Sequence, residues 1–286
     1  MSELKRYDVD VDPMASNNPH TMAIAFVGSG HRVLEVGCAS GYVTRHLVAN
    51  GNEVVGVDIN PAMLDEARPF LAAAHCLDLD RDLVSAAVDG TFDVVVLGDV
   101  LEHVRQPAAV LADVVSCLRP GGRCVISVPN AAHADIRLMV LEGVWAYQPD
   151  GLLDETHIRW LTRQSLGELL AECGLVAKAV RRVVVPMFGS NVPVHPELHS
   201  AGVIDFINAD PDSTSYQFVI EAVVDDGSTP DALAAPPPVY PVPTDVAALR
   251  SQIDAQAVEL DAWRNSRLVR YSAPLRAVYS RLRRRH

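Results

Sequence analysis

Short apolar runs alternate along residues 1–226 with stretches in which apolar positions recur every three or four residues. Residues 32–36 (RVLEV), 53–58 (EVVGVD), 92–98 (FDVVVLG) and 123–128 (RCVISV) are short apolar runs that read as strands, 92–98 being a continuous β-branched one, and a further strand is read near 73–78 (AAHCLD). Residues 180–185 and 216–224 read as two late strands. Residues 41–50, 61–71, 107–118 and 162–173 carry helical spacing between them. Pro61 suits the first turn of its helix, and Arg119-Pro-Gly-Gly122 stops the next one. Thr162 supplies a cap and Gly174 a stop for the last. Strands alternating with helices predict an α/β fold, a doubly wound and mostly parallel sheet with helices on both faces. In such sheets the ligand lies outside the carboxyl ends of the strands, at the point where strand order reverses.

The chemistry-bearing residues fall at those ends. Residues 33–41 (VLEVGCASG) read as strand, tight glycine turn and helix start, and Gly37 and Gly41 let backbone approach a ligand closely. Asp58 ends the second strand, where a carboxylate can accept from both hydroxyls of a ribose. Asp78 ends the third, within reach of an adenine edge. A lone glycine turn is weak evidence; three consecutive strands ending in Gly, Asp and Asp are hard to explain as packing.

At these residues the chain resembles the class I S-adenosylmethionine-dependent methyltransferases. The resemblance is carried by VLEVGCASG (33–41), VVGVDINPAML (54–64), FDVVVLGDVLEHV (92–104) and LRPGGRCVISVPN (118–130), in order and with family spacing. It implies a Rossmann-like seven-stranded sheet with an antiparallel last strand, and S-adenosylmethionine as cofactor. It also implies Glu35 and Gly37 near the methionine part, Asp58 on ribose and Asp78 near adenine. Cys38, Ala39, Gly41, Ile59, Leu79 and Gly98 complete the expected cofactor-binding set. Ala39 stands where the family usually has glycine.

Asp99, Glu102 and His103 follow the fourth strand within five residues, and one helical turn would bring them to a common face. Together with His157, in residues 154–163 (DETHIRWLTR), they form a candidate set for Mg²⁺ or another divalent ion. The arrangement looks like the carboxylate-x-x-Glu-His motif of ubiquinone-pathway and small-RNA O-methyltransferases, with Asp99 where those often have Glu. Three readings stand side by side: a metal site, metal-free acid–base work by His103, His157 or Asp99, and a structural role. Methyl transfer to a hydroxyl needs alignment with the methyl group and removal of a proton.

Residues 130–157 occupy the position of a substrate lid, and residues 188–215 form a second insertion between the late strands. His133, Trp145 and Tyr147 are the candidate substrate contacts. Aromatic rings beside polar groups suit a sugar, and residues 151–174 resemble methyltransferases linked to glycan synthesis. The expected acceptor is therefore a sugar or oligosaccharide hydroxyl in glycan, polysaccharide or glycolipid synthesis. A phenol- or quinone-type small molecule is the alternative, and a catalytically silent cofactor-binding assembly subunit is the third reading.

Composition refines this picture. The net charge is −12, yet residues 264–286 hold eight arginines and no acid, leaving −20 on the rest. An acidic body argues against general nucleic-acid binding. Residues 227–244 are rich in Pro and Ala and read as a linker. Residues 245–286 read as a short apolar seam, suited to a homodimer or to docking on the core, followed by a basic amphipathic tail suited to the anionic inner face of a membrane. The N-terminus lacks the apolar centre of a signal peptide, and no apolar run reaches the ~20 residues that span a bilayer. With five cysteines and no paired spacing, a reducing, cytoplasmic setting is expected.

Overall fold

The computed structural model describes Asp12 and residues 15–234; the expected seam and basic tail lie outside the described residues. Seven strands form one sheet in the order β3-β2-β1-β4-β5-β7-β6. They are β1 Arg32–Val36, β2 Glu53–Asp58, β3 Ala73–Cys76, β4 Phe92–Gly98, β5 Leu118–Pro129, β6 Leu175–Val184 and β7 Ser215–Val224. The first five pair in parallel, and β7 runs antiparallel to both β5 and β6. The order reverses between β1 and β4, so the cleft opens beyond their carboxyl ends.

Strand alternation divides the core into two layers. Leu34, Val36, Val95, Leu97, Cys124 and Ile126 face one layer. They pack under α4 (Val84–Ala87), α5 (Pro107–Val115) and α7 (Arg163–Glu172). Val33, Val94, Val96 and Val125 face the other, under α1 (Pro19–Val27) and α2 (Thr44–Ala49). The helix read at 61–71 ends at Ala67 as α3 (Pro61–Ala67) and tightens into a 3₁₀ turn, because Pro69 has no N–H to continue the ladder. The helix at 162–173 forms as expected, with Thr162 and Ser165 in a reciprocal capping box.

Besides the single turn of α4, three helices stand where no helix is predicted from the pattern: α1, α6 (Ala134–Leu141) and α8 (Ala201–Asn208). Each has an N-cap side chain, from Asn18, His133 and Ser200. The late strands are longer than the apolar runs suggest, since β6 begins directly after Gly174 and pairs with β7 over its whole length. The linker read from residue 227 onward still touches the domain at its start. Leu233 is buried in the main core, and the Ala232 N–H donates to Ala177 O at 2.7 Å. Among the described residues no helix is long and apolar enough to cross a membrane.

Candidate active site

A cleft of about 560 Å³ lies beyond the carboxyl ends of β1, β2 and β4. Gly37 turns the chain after β1 with φ +75°, and a Cβ there would sit 2.6 Å from Val100 Cγ2, so only glycine fits. Ala39 takes φ +47° in the same turn, a strained conformation for a residue with a Cβ. Asp58 holds the turn: its Oδ2 accepts from the Ala39 N–H at 2.8 Å and its Oδ1 from the Asn60 N–H at 2.8 Å. Of the expected cofactor residues, Gly37, Ala39, Asp58, Ile59, Asp78, Leu79 and Gly98 line the cleft.

Glu35, Cys38 and Gly41 lie beneath it instead. The Cys38 side chain packs with Leu64 and Ala67 in a small apolar cluster and does not line the cleft. Gly41 gives α3 its close approach, since a Cβ would meet Ala67 at 3.1 Å. Glu35 is buried and accepts from Thr44 Oγ1 at 2.6 Å. Burial pushes its carboxyl up to about 7, against the opposing pull of the Thr44 hydrogen bond. The folded state thus holds this proton more tightly than the unfolded chain, whose carboxyl titrates at 4.5. The expected result is a stability contribution complete below pH 4.5 and lost as pH rises to about 7, worth roughly 3 kcal/mol. Urea titrations across that window check it. Glu35→Gln should flatten the profile, and an unchanged slope would reject the assignment.

Beyond β4 a second group assembles. Ligand atoms of Glu102, His103 and His157 all lie within 4.8 Å of one another. The His103 and His157 rings meet edge to face at 4.8 Å between centroids. His103 Nδ1 faces Thr156 O at 3.2 Å and His157 Nδ1 faces Leu152 O at 3.3 Å. A carbonyl only accepts, so each Nδ1 carries a proton, and in the neutral ring the lone pair is then on Nε2. Burial, then the neighbouring His103, lowers the His157 pKa and favours the neutral ring. Glu102 is 1% exposed, and neither of its carboxylate oxygens has a hydrogen-bond partner. Burial, then Asp99, raises its pKa well above the usual carboxylate range.

Asp99 is not part of this group. It sits at φ +55°, and its Oδ1 accepts from Ser127 Oγ at 2.8 Å and from Gln217 Nε2. The residue that begins the Asp99-x-x-Glu102-His103 run is thus turned toward β5 and β7, because no regular helical turn forms after Gly98. None of the three expected substrate contacts lines the cleft. His133 is completely buried, caps α6 and bonds Val185 O through Nε2 at 2.9 Å. Trp145 and Tyr147 lie outside the cleft. Trp145 stacks edge-on against Trp160, which in turn meets His157 at 5.7 Å. The lid instead gives Asp150, Gly151 and Asp154 to the cleft wall, and His20, Tyr42, Tyr216 and Gln217 complete it. None of these four follows a strand of the β-α alternation directly, so position along the pattern does not single them out.

The open sheet with an antiparallel last strand, and the glycine turn and carboxylates at its carboxyl ends, define the class I S-adenosylmethionine-dependent methyltransferase architecture. Residues 15–180 match the family described as a methyltransferase domain, and the chain belongs to that family. It is 36% identical over 107 residues to the ubiquinone biosynthesis O-methyltransferase of Nitrosococcus oceani, across 36% of this chain and 45% of that one. It is 32% identical over 154 residues to the ubiquinone biosynthesis O-methyltransferase of Thiobacillus denitrificans, across 51% of this chain and 65% of that one. The chain therefore spans less than two thirds of the length of these relatives. Among solved structures, a SAM-dependent methyltransferase from Archaeoglobus fulgidus shares the fold at a TM-score of 0.51 and 19% identity, covering 71% of this chain and 90% of that one. The curated relatives are named for ubiquinone biosynthesis, and this overturns the expected sugar or oligosaccharide acceptor.

Proposed function

We propose that this chain is an S-adenosylmethionine-dependent O-methyltransferase that methylates a hydroxyl of a small phenol- or quinone-type metabolite with the aid of a divalent ion. The names of the relatives support the acceptor class. The observation that carries the metal is the Glu102 carboxylate, buried with both oxygens unpartnered between two imidazoles that present Nε2. A buried polar group without partners is costly, and a cation relieves that cost. Glu102, His103 and His157 would hold the ion, which supplies Lewis acidity toward the acceptor oxygen. Two imidazoles and one carboxylate suit a first-row transition ion better than Mg²⁺, which prefers oxygen.

The chain's own residues do the rest. The Gly37 turn and Asp58 position the cofactor, so that the acceptor oxygen lines up behind the methyl group. Asp154 and Gly151 wall the acceptor side. The S–CH₃ bond breaks as the O–CH₃ bond forms, and the hydroxyl proton leaves to solvent.

Calorimetric titration of S-adenosylhomocysteine into chelator-treated protein, then of catechol-type acceptors with and without Mn²⁺, Zn²⁺ or Mg²⁺, tests this reading. Micromolar binding of the product, with acceptor heat only when a metal is present, is expected. No binding of the product would reject the cofactor assignment, and acceptor binding indifferent to metal would reject the ion.

A further inference from the structure

The cleft has an unusual charge balance. Among the described residues that line it, seven are Asp or Glu and none is Lys or Arg. Acids suit the ribose hydroxyls, the sulfonium and the ammonium group of S-adenosylmethionine. They do not suit its α-carboxylate, which needs a cation or a strong donor once it leaves water. Among the described residues, the lining groups able to become cationic are His20, His103 and His157. The last two belong to the group around Glu102. His20 is on the first turn of α1 and lines the same cleft as Gly37 and Ala39 of the glycine turn. Its ring meets Tyr42 edge-on at 5.1 Å, just after Gly41. Tyr42 and Asp99 are the titratable groups that face it, and Gln217 lines the same cleft.

We propose that His20 anchors the α-carboxylate of S-adenosylmethionine and takes up a proton from solvent as the cofactor binds. The inference rests on the cofactor reading above. Burial lowers the His20 pKa, with Asp99 opposing, so the imidazole of the protein alone is neutral around pH 7. A carboxylate brought against it favours imidazolium, and the difference appears as a proton taken from solvent. Tyr42 stays a phenol, since burial and then Asp99 raise its pKa, and so remains a hydrogen-bond donor next to the ring.

The test is calorimetry of S-adenosylhomocysteine binding from pH 6 to 8 in two buffers of different ionisation enthalpy. The native protein should take up close to one proton, and its affinity should fall by up to about tenfold per pH unit where His20 titrates. His20→Gln should bind about tenfold more weakly at pH 6 and lose most of the slope. His20→Arg, a permanent cation, should keep the affinity and lose the slope. This second variant separates loss of the anchor from loss of the fold. Native slope and affinity in His20→Gln would overturn the proposal while leaving the cofactor reading intact. Absence of product binding to the native protein would overturn both.

Discussion

Replacing Glu102 with methionine is expected to abolish metal-dependent turnover while raising the melting temperature of the metal-free protein. Glu102 follows the buried Leu101 and is itself 1% exposed, so its carboxylate is held in the interior whether or not a cation compensates it. Neither oxygen has a hydrogen-bond partner. Methionine has similar length and no polar group to satisfy, so the metal-free variant should gain about 1–3 kcal/mol. Turnover should fall by about a thousandfold, the scale on which removing activation of the attacking oxygen acts. Metal content by mass spectrometry, thermal melts and initial rates measure the three effects. A variant that is both less stable and fully active would show that Glu102 serves packing alone. The opposed signs are what mark a functional residue, since an ordinary core substitution lowers stability.

Asp135→Ala should cost about 3–5 kcal/mol, the largest stability loss expected from a single polar side chain here. Asp135 is completely buried on the first turn of α6. Its Oδ1 accepts from the Phe188 N–H at 2.6 Å, and its Oδ2 from the Ser190 N–H at 3.1 Å and the Ser190 hydroxyl at 2.6 Å. Phe188 sits at φ +64°, a conformation that a bulky residue adopts only when its surroundings impose it. The carboxylate therefore ties the insertion between β6 and β7 to the helix after β5. Removing it leaves the donors of Phe188 and Ser190 unpartnered. Asp135→Asn keeps one acceptor oxygen and should lose about half as much. Urea unfolding measures both, and a loss under 1 kcal/mol for alanine would contradict the account.

The sheet was legible because each buried strand needs a continuous apolar run, and such runs at 32–36, 53–58 and 92–98 match β1, β2 and β4 residue for residue. The reversal of order between β1 and β4 follows from the β-α alternation. For the same reason the place of Gly37, Asp58 and Asp78 in the cleft wall was legible: a residue at or just after a strand's carboxyl end faces the cleft of such a sheet. α6 and α8 were not legible, because their apolar faces pack against insertions and the edge of the domain, and their composition is mixed. His133 and Trp145 show the limit from the other side. Their residue types suit a substrate, yet one caps a helix in the interior and the other braces Trp160.

Local sequence determined the strands, the helix caps, the glycine turn and the family motifs, since each depends on spacing within a few residues and on backbone sterics. Tertiary structure alone decided that Glu102 and His103 meet His157 across more than fifty residues and that Asp99 turns instead to Ser127 and Gln217. It also decided that His20 faces a cleft whose described lining residues include no Lys or Arg. Those outcomes depend on where strand ends and insertions converge in space. Burial there sets the cost of each unpaired charge, and so the chemistry the site can perform.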